Sequence, residues 1–259
     1  MKIAVSGKGG AGKSTLAAML CRLAAEDGKR VLAVDADPDA NLAFALGIPP
    51  QELSAIIPLS QRKELIEERT GAKLKQFGQI FKLNPQVNDI ADKFAYNFHN
   101  INLLVLGAIA SGGSGCACPE NVFLKSLLSE IILYRNEFVI VDFEAGLEHL
   151  GRATAKSVDL MLAVTEPSPQ SVATVKSIKR LCQDIGLASV KYVGNKIISP
   201  DDEIYLQTEL EADNIVGFIP YDKKILDLER KGIPLFDGID VNLRDVFHKI
   251  FKRMLKAAG

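Results

Sequence analysis

A doubly wound, mostly parallel α/β fold is the class this sequence predicts, and three observations predict it. Short apolar runs alternate with helical patterns along most of the chain, the signature of repeated βαβ units. Several of those runs are continuous in Val, Ile and Leu instead of alternating with polar residues, as strands covered on both faces require. The first run ends in a glycine-rich turn that opens into a helical pattern, "VSGKGGAGKSTLAAML" from Val5 to Leu20.

Taken in order, the strands are expected at Lys2–Ser6, Arg30–Asp35, Asn102–Leu106, Phe138–Asp142, Leu160–Thr165, Lys191–Asn195 and Ile215–Ile219. Helices are expected at Lys13–Asp27, with Gly28 as the stop, at about Glu120–Tyr134, at Pro169–Ile185, and from about Asn242 to the end. The stretch from Pro49 to Asn100 fits less well. "LSQRKELIEERTG" reads as an exposed charged helix, and "FGQIFKLNPQVNDIADKFAYNF" is broken by Pro, Asn and Gly and reads as an irregular insertion. No linker, repeat or low-complexity tract divides the chain, so one domain over 1–259 with an insertion at about 49–100 is expected.

With 259 residues, 47% hydrophobic and 24% charged, the chain has ordinary globular composition. A net charge of −1 argues against a general nucleic-acid footprint. No run reaches the roughly 18 apolar residues of a membrane span, and the first strand runs straight into the glycine-rich turn without a signal-peptide pattern. A cytoplasmic location is expected. Four cysteines are too few for a disulfide framework at this length and are expected to be thiols or metal ligands. The tail "VNLRDVFHKIFKRMLKAAG" is basic and amphipathic. It suits a helix packed on the sheet better than a membrane-surface helix, because no flexible linker precedes it.

Gly7 to Ser14, "GKGGAGKS", matches G-x-x-x-x-G-K-[ST] in the strand-to-helix context that gives the pattern a mechanism. The glycines let backbone N–H groups converge on phosphate oxygens, and the helix N-terminus adds its positive end. Lys13 is then expected to reach the β- and γ-phosphates, and the Ser14 hydroxyl to hold Mg²⁺. Lys8 lies on the far side of the turn and wraps less readily onto the same phosphates. It is placed to serve a nucleotide in a facing subunit, as an arginine finger does in trans; a solvated surface lysine is the plainer alternative.

"RVLAVDADPDAN" puts Asp35 and Asp37 at the end of the second strand, where a carboxylate can position water or hold Mg²⁺ through water. Asp35 and Asp39 can equally serve as cap or turn residues. "FVIVDFEAGLEHL" ends an apolar strand in Asp142, a position suited to the Mg²⁺ hydration shell. His149 nearby is read as structural. Asn195-Lys196 begins like the NKxD motif of GTPases, but Ile198 stands where the aspartate that reads guanine belongs, so ATP is the expected nucleotide. Cys116 and Cys118 in "GGSGCACPEN" present both thiols to one side of an extended segment. Two thiolates do not close a four-ligand site, but a two-fold dimer would supply four, suiting Zn²⁺ when tetrahedral and Ni²⁺ when square planar. A strained disulfide or two idle thiols are the alternatives. Cys21 and Cys182 lie on helical patterns and are read as core.

"GKGGAGKST" resembles the deviant Walker A loop of the MinD/ParA/nitrogenase-iron-protein class. With "DADPDANLAFALG", "LNPQV", "GGSGCACPENVFL", "DFEAGLEHLGRATAKSVDLML" and "GFIPYD" the chain is more narrowly similar to the CooC-type ATPases that mature the nickel enzymes CO dehydrogenase and acetyl-CoA synthase. The resemblance implies a P-loop NTPase fold and an ATP-sandwich homodimer in which Lys8 crosses the interface. It assigns Gly7, Lys8, Gly9, Gly10, Ala11, Gly12, Lys13, Ser14 and Thr15 to the nucleotide, and Lys8, Lys13, Asp37 and Asp142 to catalysis. Asp37 orients the water, Asp142 supports Mg²⁺, the Gly146 amide senses the γ-phosphate, and Asn195 and Pro220 contact the base. Cys116 and Cys118 bind Ni²⁺ or Zn²⁺ shared between two subunits, and ATP turnover is coupled to loading the client enzyme. A partitioning or positioning ATPase acting on DNA or membrane, and a nickel GTPase, are the rival readings.

Overall fold

The computed structural model describes residues 1–74, 79–107, 118–144, 152–187 and 189–259. Its centre is an eight-stranded sheet. The strands are β1 (Lys2–Gly7), β2 (Val31–Ala36), β3 (Tyr96–Phe98), β4 (Ile101–Val105), β5 (Phe138–Phe143), β6 (Leu160–Thr165), β7 (Val190–Ile197) and β8 (Ile215–Pro220). They run in the order β3-β4-β2-β5-β1-β6-β7-β8, parallel except for the antiparallel edge pair β3–β4. All seven expected strands are present within two residues at either end, and the fold is the mostly parallel α/β class that the sequence predicts. Every residue of β2, β5 and β6 is buried, which is why those runs read as continuous and not alternating.

Two apolar layers cover the sheet. On one face lie α1 (Lys13–Glu26), α2 (Leu42–Ala45), α10 (Lys223–Arg230), α11 (Leu235–Gly238) and α12 (Val241–Ala258). On the other lie α4 (Lys63–Thr70), α6 (Pro119–Tyr134), α7 (Arg152–Ala155), α8 (Pro169–Ile185) and α9 (Pro200–Glu209). Alternate residues of one strand feed the two layers: Ala4 joins the second, Ile3 and Val5 the first. Helix α1 ends at Glu26, and Gly28, at φ +75°, turns the chain where the sequence placed its stop.

The segment between residues 49 and 100 carries more regular structure than the sequence predicts. Besides α4 it holds α3 (Pro50–Leu53), α5 (Ile90–Phe94) and β3. Helix α4 is not simply exposed, since Ile66 and Thr70 are fully buried and Ile66 joins Val87, Ile90 and Ala91 in the core on the α6 face. Arg69 binds Asp89 through two N–H···O bonds of 3.0 and 2.8 Å, fastening α4 to the start of α5. The β3–β4 hairpin escaped the sequence reading because its turn is His99-Asn100. Both residues hold positive φ, at +47° and +64°, the backbone of a two-residue turn usually written with Asn-Gly. Helix α9 also escaped it, although Ser199 with Asp202 forms a capping box.

The C-terminal tail is a helix packed on the sheet, as expected. α12 buries Leu243, Phe247, Ile250, Phe251 and Met254. Gly217 of β8 makes room for it, because a Cβ there would stand 2.5 Å from Ile250 Cγ1. Among the described residues no helix is long and apolar enough to cross a membrane. Met254 has no exposed surface, so Met254→Ala is expected to lower unfolding free energy by about 2–4 kcal/mol in urea denaturation. A change within about 0.5 kcal/mol would mean that α12 is not part of the folded core.

Candidate nucleotide site

The sheet's topology gathers the predicted site residues. In an open parallel sheet ligands bind beyond the carboxyl ends of the strands. Here β1 ends in the phosphate loop, β2 in Asp35 to Asp37, β5 in Asp142, β7 in Asn195 and Lys196, and β8 in Pro220. A cavity of 380 Å³ opens at this edge, bordered by Lys13, Ser14, Thr15, Asp37, Asn195 and Pro220 among others. Gly9, Gly10 and Gly12 also line it.

Helix α1 begins at Lys13 without a side-chain cap. Its first N–H groups are therefore left for a ligand, and the positive helix end lies at the same place. The loop tip closes by Ala11 N–H donating to the Lys8 carbonyl at 3.1 Å. Gly12 must be glycine for two reasons: its φ is +94°, and a Cβ would lie 2.3 Å from Asn195 Nδ2. That amide donates to the Ala11 carbonyl at 2.7 Å. Asn195 thus braces the loop as well as bordering the cavity, a role the sequence reading did not assign.

Charge is concentrated here. Lys13 is buried and stands 3.6 Å from Asp37. Asp35 is fully buried and accepts from the N–H groups of Leu42 at 2.9 Å and Asp37 at 3.2 Å. Asp35 and Asp142 occupy paired positions on β2 and β5, so two like charges face each other across adjacent strands. Burial raises the Asp35 carboxyl to about 6, against the favourable pull of its two N–H donors. Burial likewise raises Asp142 to about 7, with Asp35 adding to the effect. Both Asp142 oxygens are buried without a hydrogen-bond partner of ordinary geometry, although the Ser14 hydroxyl lies close enough to favour the ionised form. An orphaned buried carboxylate beside a hydroxyl is a donor set of hard oxygens, which fits a hydrated Mg²⁺.

The remaining predicted residues divide. Lys8 Nζ donates to Gln170 Oε1 at 2.9 Å, at the start of α8. Pro220 borders the cavity together with Tyr221, Asp222, Ile225 and Leu226; the last four went unread, though the amphipathic pattern after β8 could have marked them. Ile198 is 79% exposed, and of the two carboxylates that follow, Asp201 and Asp202, the second is committed to the N–H groups of Ile198 and Ser199. Gly146, His149 and Cys116 lie outside the described residues. Cys118 is half-buried at the N-cap position of α6, with no side-chain capping bond. Among the described residues no three His, Cys, Asp or Glu side chains are grouped to hold a metal. Cys21 and Cys182 are buried in the two apolar layers, as expected.

The raised carboxylates fix a pH dependence. Asp35 has its folded value near 6, above about 3.9 in the unfolded chain. Its contribution is fully present below the unfolded value and is lost as pH rises through 6, by on the order of 2 kcal/mol; Asp142 acts in the same direction. Without nucleotide or Mg²⁺, urea midpoints are expected to fall between about pH 4 and 7, less steeply in Asp35→Asn. An equal slope in both proteins would mean that Asp35 does not ionise in this range.

Residues 2–235 match the family model described as "CobQ/CobB/MinD/ParA nucleotide binding domain". An uncharacterized ATP-binding protein of Methanocaldococcus jannaschii is 44% identical over 259 residues, covering 99% of this chain and 98% of its own. The carbon monoxide dehydrogenase accessory protein CooC of Rhodospirillum rubrum is 41% identical, covering 100% and 98%. Among solved structures, MinD of Pyrococcus horikoshii complexed with Mg-ADP superposes with a TM-score of 0.65 at 24% identity, over 100% of this chain and 97% of its own. MinD in the Aquifex aeolicus MinC:MinD complex gives 0.68 at 20%, over 99% and 96%. The chain belongs to the CobQ/CobB/MinD/ParA nucleotide-binding family and, within it, to the CooC-type ATPases.

Proposed function

We propose that this ATPase works as a nucleotide-dependent homodimer that carries Ni²⁺ on a C-x-C pair from each subunit and assists its insertion into CO dehydrogenase or acetyl-CoA synthase. The carrying observation is the full-length likeness to a carbon monoxide dehydrogenase accessory protein, in a chain that also has Cys116 and Cys118 two residues apart. The second thiol stands, uncapped and half-buried, where α6 begins. Two such pairs related by a two-fold axis would give four sulfur ligands, a set suited to Ni²⁺ when square planar or Zn²⁺ when tetrahedral. We place the protein in a reducing compartment, the cytoplasm, where those thiols stay free.

In this reading Gly7 to Thr15 cradle the phosphates, and Asn195 and Pro220 border the base. Ser14, and Asp142 through water, hold Mg²⁺, which when bound offsets phosphate charge. Lys13 has its charge matched by Asp37 at 3.6 Å. A γ-phosphate at Lys13 brings that negative charge itself, which frees the Asp37 carboxylate to accept a proton-bearing bond from the attacking water. Lys8 leaves Gln170 and reaches the nucleotide of the facing subunit, so each site is finished only in the dimer. The Gly146 amide, following Asp142, reports the γ-phosphate to the segment beyond β5. The energetic requirement is that ATP bind the closed dimer better than the open chain; without that difference no rearrangement at the thiolates follows.

Two measurements test this. Equilibrium dialysis under reducing conditions should find one tightly held Ni²⁺ per two chains, lost in Cys118→Ala while ATP binding persists; tight Ni²⁺ binding in that variant refutes the thiolate site. Lys8→Ala should bind ATP within about threefold of wild type but lose hydrolysis by about 10³-fold, the scale of a cation supplied in trans. Analytical ultracentrifugation with ATP should show it failing to dimerise. Unimpaired turnover in Lys8→Ala would remove the cross-subunit role.

A further inference from the structure

The tip of the phosphate loop has almost nothing packed around it. Gly9 and Gly10 are exposed, and a Cβ built at either would meet no atom within 4 Å. Yet the carbonyls of Gly10 and Ala11 are both taken, by two consecutive residues of β7. Lys196 Nζ donates to the Gly10 carbonyl at 2.9 Å, and Asn195 Nδ2 to the Ala11 carbonyl at 2.7 Å. Lys196 is held in turn by Glu166, with 2.5 Å between ammonium and carboxylate.

Both ends of this arrangement are fixed. Glu166 follows β6, and its own N–H donates to the hydroxyl of Ser171, a fully buried residue, at 2.9 Å. At the other end Lys196 holds φ +60°, a left-handed backbone that a lysine adopts only where its surroundings compel it. The β7–β8 register is irregular between Gly194 and Ile197, a bulge of the kind that re-aims side chains. Without the bulge and the positive φ, Lys196 would follow the alternation of the strand.

We infer that Lys196, steadied by Glu166, is a positioning residue that sets the phosphate loop for ATP before the nucleotide arrives. The reason is geometric. In a trans peptide the C=O and N–H point opposite ways. Fixing the Ala11 carbonyl to Asn195 therefore aims the Gly12 N–H away from Asn195. Fixing the Gly10 carbonyl to Lys196 holds the peptide whose N–H closes the turn onto Lys8. A tip of consecutive glycines otherwise samples many backbone states, and ordering it on binding costs affinity. The clasp removes that cost by ordering the tip beforehand. The inference rests on the loop being the ATP site, and it extends to Lys196 and Glu166, which the reading above leaves without a role.

The test is titration of ATP and ADP into wild type, Lys196→Met, Lys196→Arg and Glu166→Gln, with amide hydrogen exchange at Gly9 to Gly12 in the absence of nucleotide. Lys196→Met is expected to weaken both nucleotides by about tenfold, the scale of one lost charge-assisted hydrogen bond, with faster exchange at the tip and an unchanged melting temperature. Lys196→Arg, which keeps the charge and donors, should recover most of the loss. Glu166→Gln separates positioning from direct contact. If Lys196 acted by touching the nucleotide, freeing it from Glu166 would leave affinity equal or higher, and that result overturns the inference. If it positions the loop, Glu166→Gln weakens both nucleotides by about threefold, as loss of one partly exposed ion pair allows. Unaltered affinity and exchange in Lys196→Met also overturns it, whereas failure of wild type to bind ATP would instead overturn the nucleotide site.

Discussion

The structure is organised around a charge problem at the carboxyl edge of its sheet. Three aspartates, at 35, 37 and 142, are buried within reach of a single buried lysine, Lys13. Two of them sit in register on neighbouring strands. Such a cluster opposes folding: burial disfavours each charge and the carboxylates repel one another. It is tolerated because β2 and β5 are held by ladders whose remaining side chains are wholly apolar and buried, beside the buried Ile3, Ala4 and Val5 of β1. Once these carboxyls ionise, the sheet thus supports a deficit of positive charge that a bound cation relieves. Mg²⁺ is such a cation, and the orphaned oxygens of Asp142 are hard donors that fit it.

Much of this was legible in the sequence, and the reason is that the site is built from strand ends. A buried strand announces itself by its unbroken apolar run, and the first polar residue after it marks the edge where ligands bind. Asp35 and Asp142 were found in that way, and Asn195 through its likeness to the start of an NKxD motif. The phosphate loop was legible because its glycines and lysine obey a fixed spacing between a strand and a helix. Pairings across the chain were not. Lys13 with Asp37, Lys8 with Gln170 and Lys196 with Gly10 join residues separated by 24 to 186 positions, and no local pattern encodes them. The β3–β4 hairpin failed for a different reason, since His99-Asn100 performs a turn that composition attributes to glycine.

Asn195 is the instructive residue. Read from sequence it is half of a nucleotide-base motif whose aspartate is missing. In the fold its side chain is already engaged at both ends: Nδ2 on the Ala11 carbonyl, Oδ1 accepting the Lys196 N–H at 2.9 Å. An amide has two donors and an acceptor with two lone pairs, so one N–H and one lone pair remain for a base. If Asn195 contacts the base as proposed, it ties base recognition to loop shape, and a substitution there would disturb both at once. Sequence motifs report the ligand contact and leave the bracing contact unseen.

The three lysines around the loop differ in how firmly each is held, and the difference orders their roles. Lys13 is buried 3.6 Å from an equally buried Asp37, where solvent and salt screen the pairing little. Lys196 is locked between a carboxylate and a carbonyl, on a backbone conformation that costs energy to maintain. Lys8 has one hydrogen bond to a neutral amide at the surface, an interaction whose net worth is about 1 kcal/mol or less. Under the proposed function Lys8 leaves its own subunit to complete another's site and has to be weakly held, whereas a residue that shapes the loop beforehand has to be strongly held. The distribution of contacts follows that rule, so the glycine-rich turn is not a uniformly flexible cradle. It is anchored at Gly10 and Ala11 by side chains of β7, while the Lys8 ammonium is tied to the surface amide of Gln170, as the proposed cross-subunit role requires.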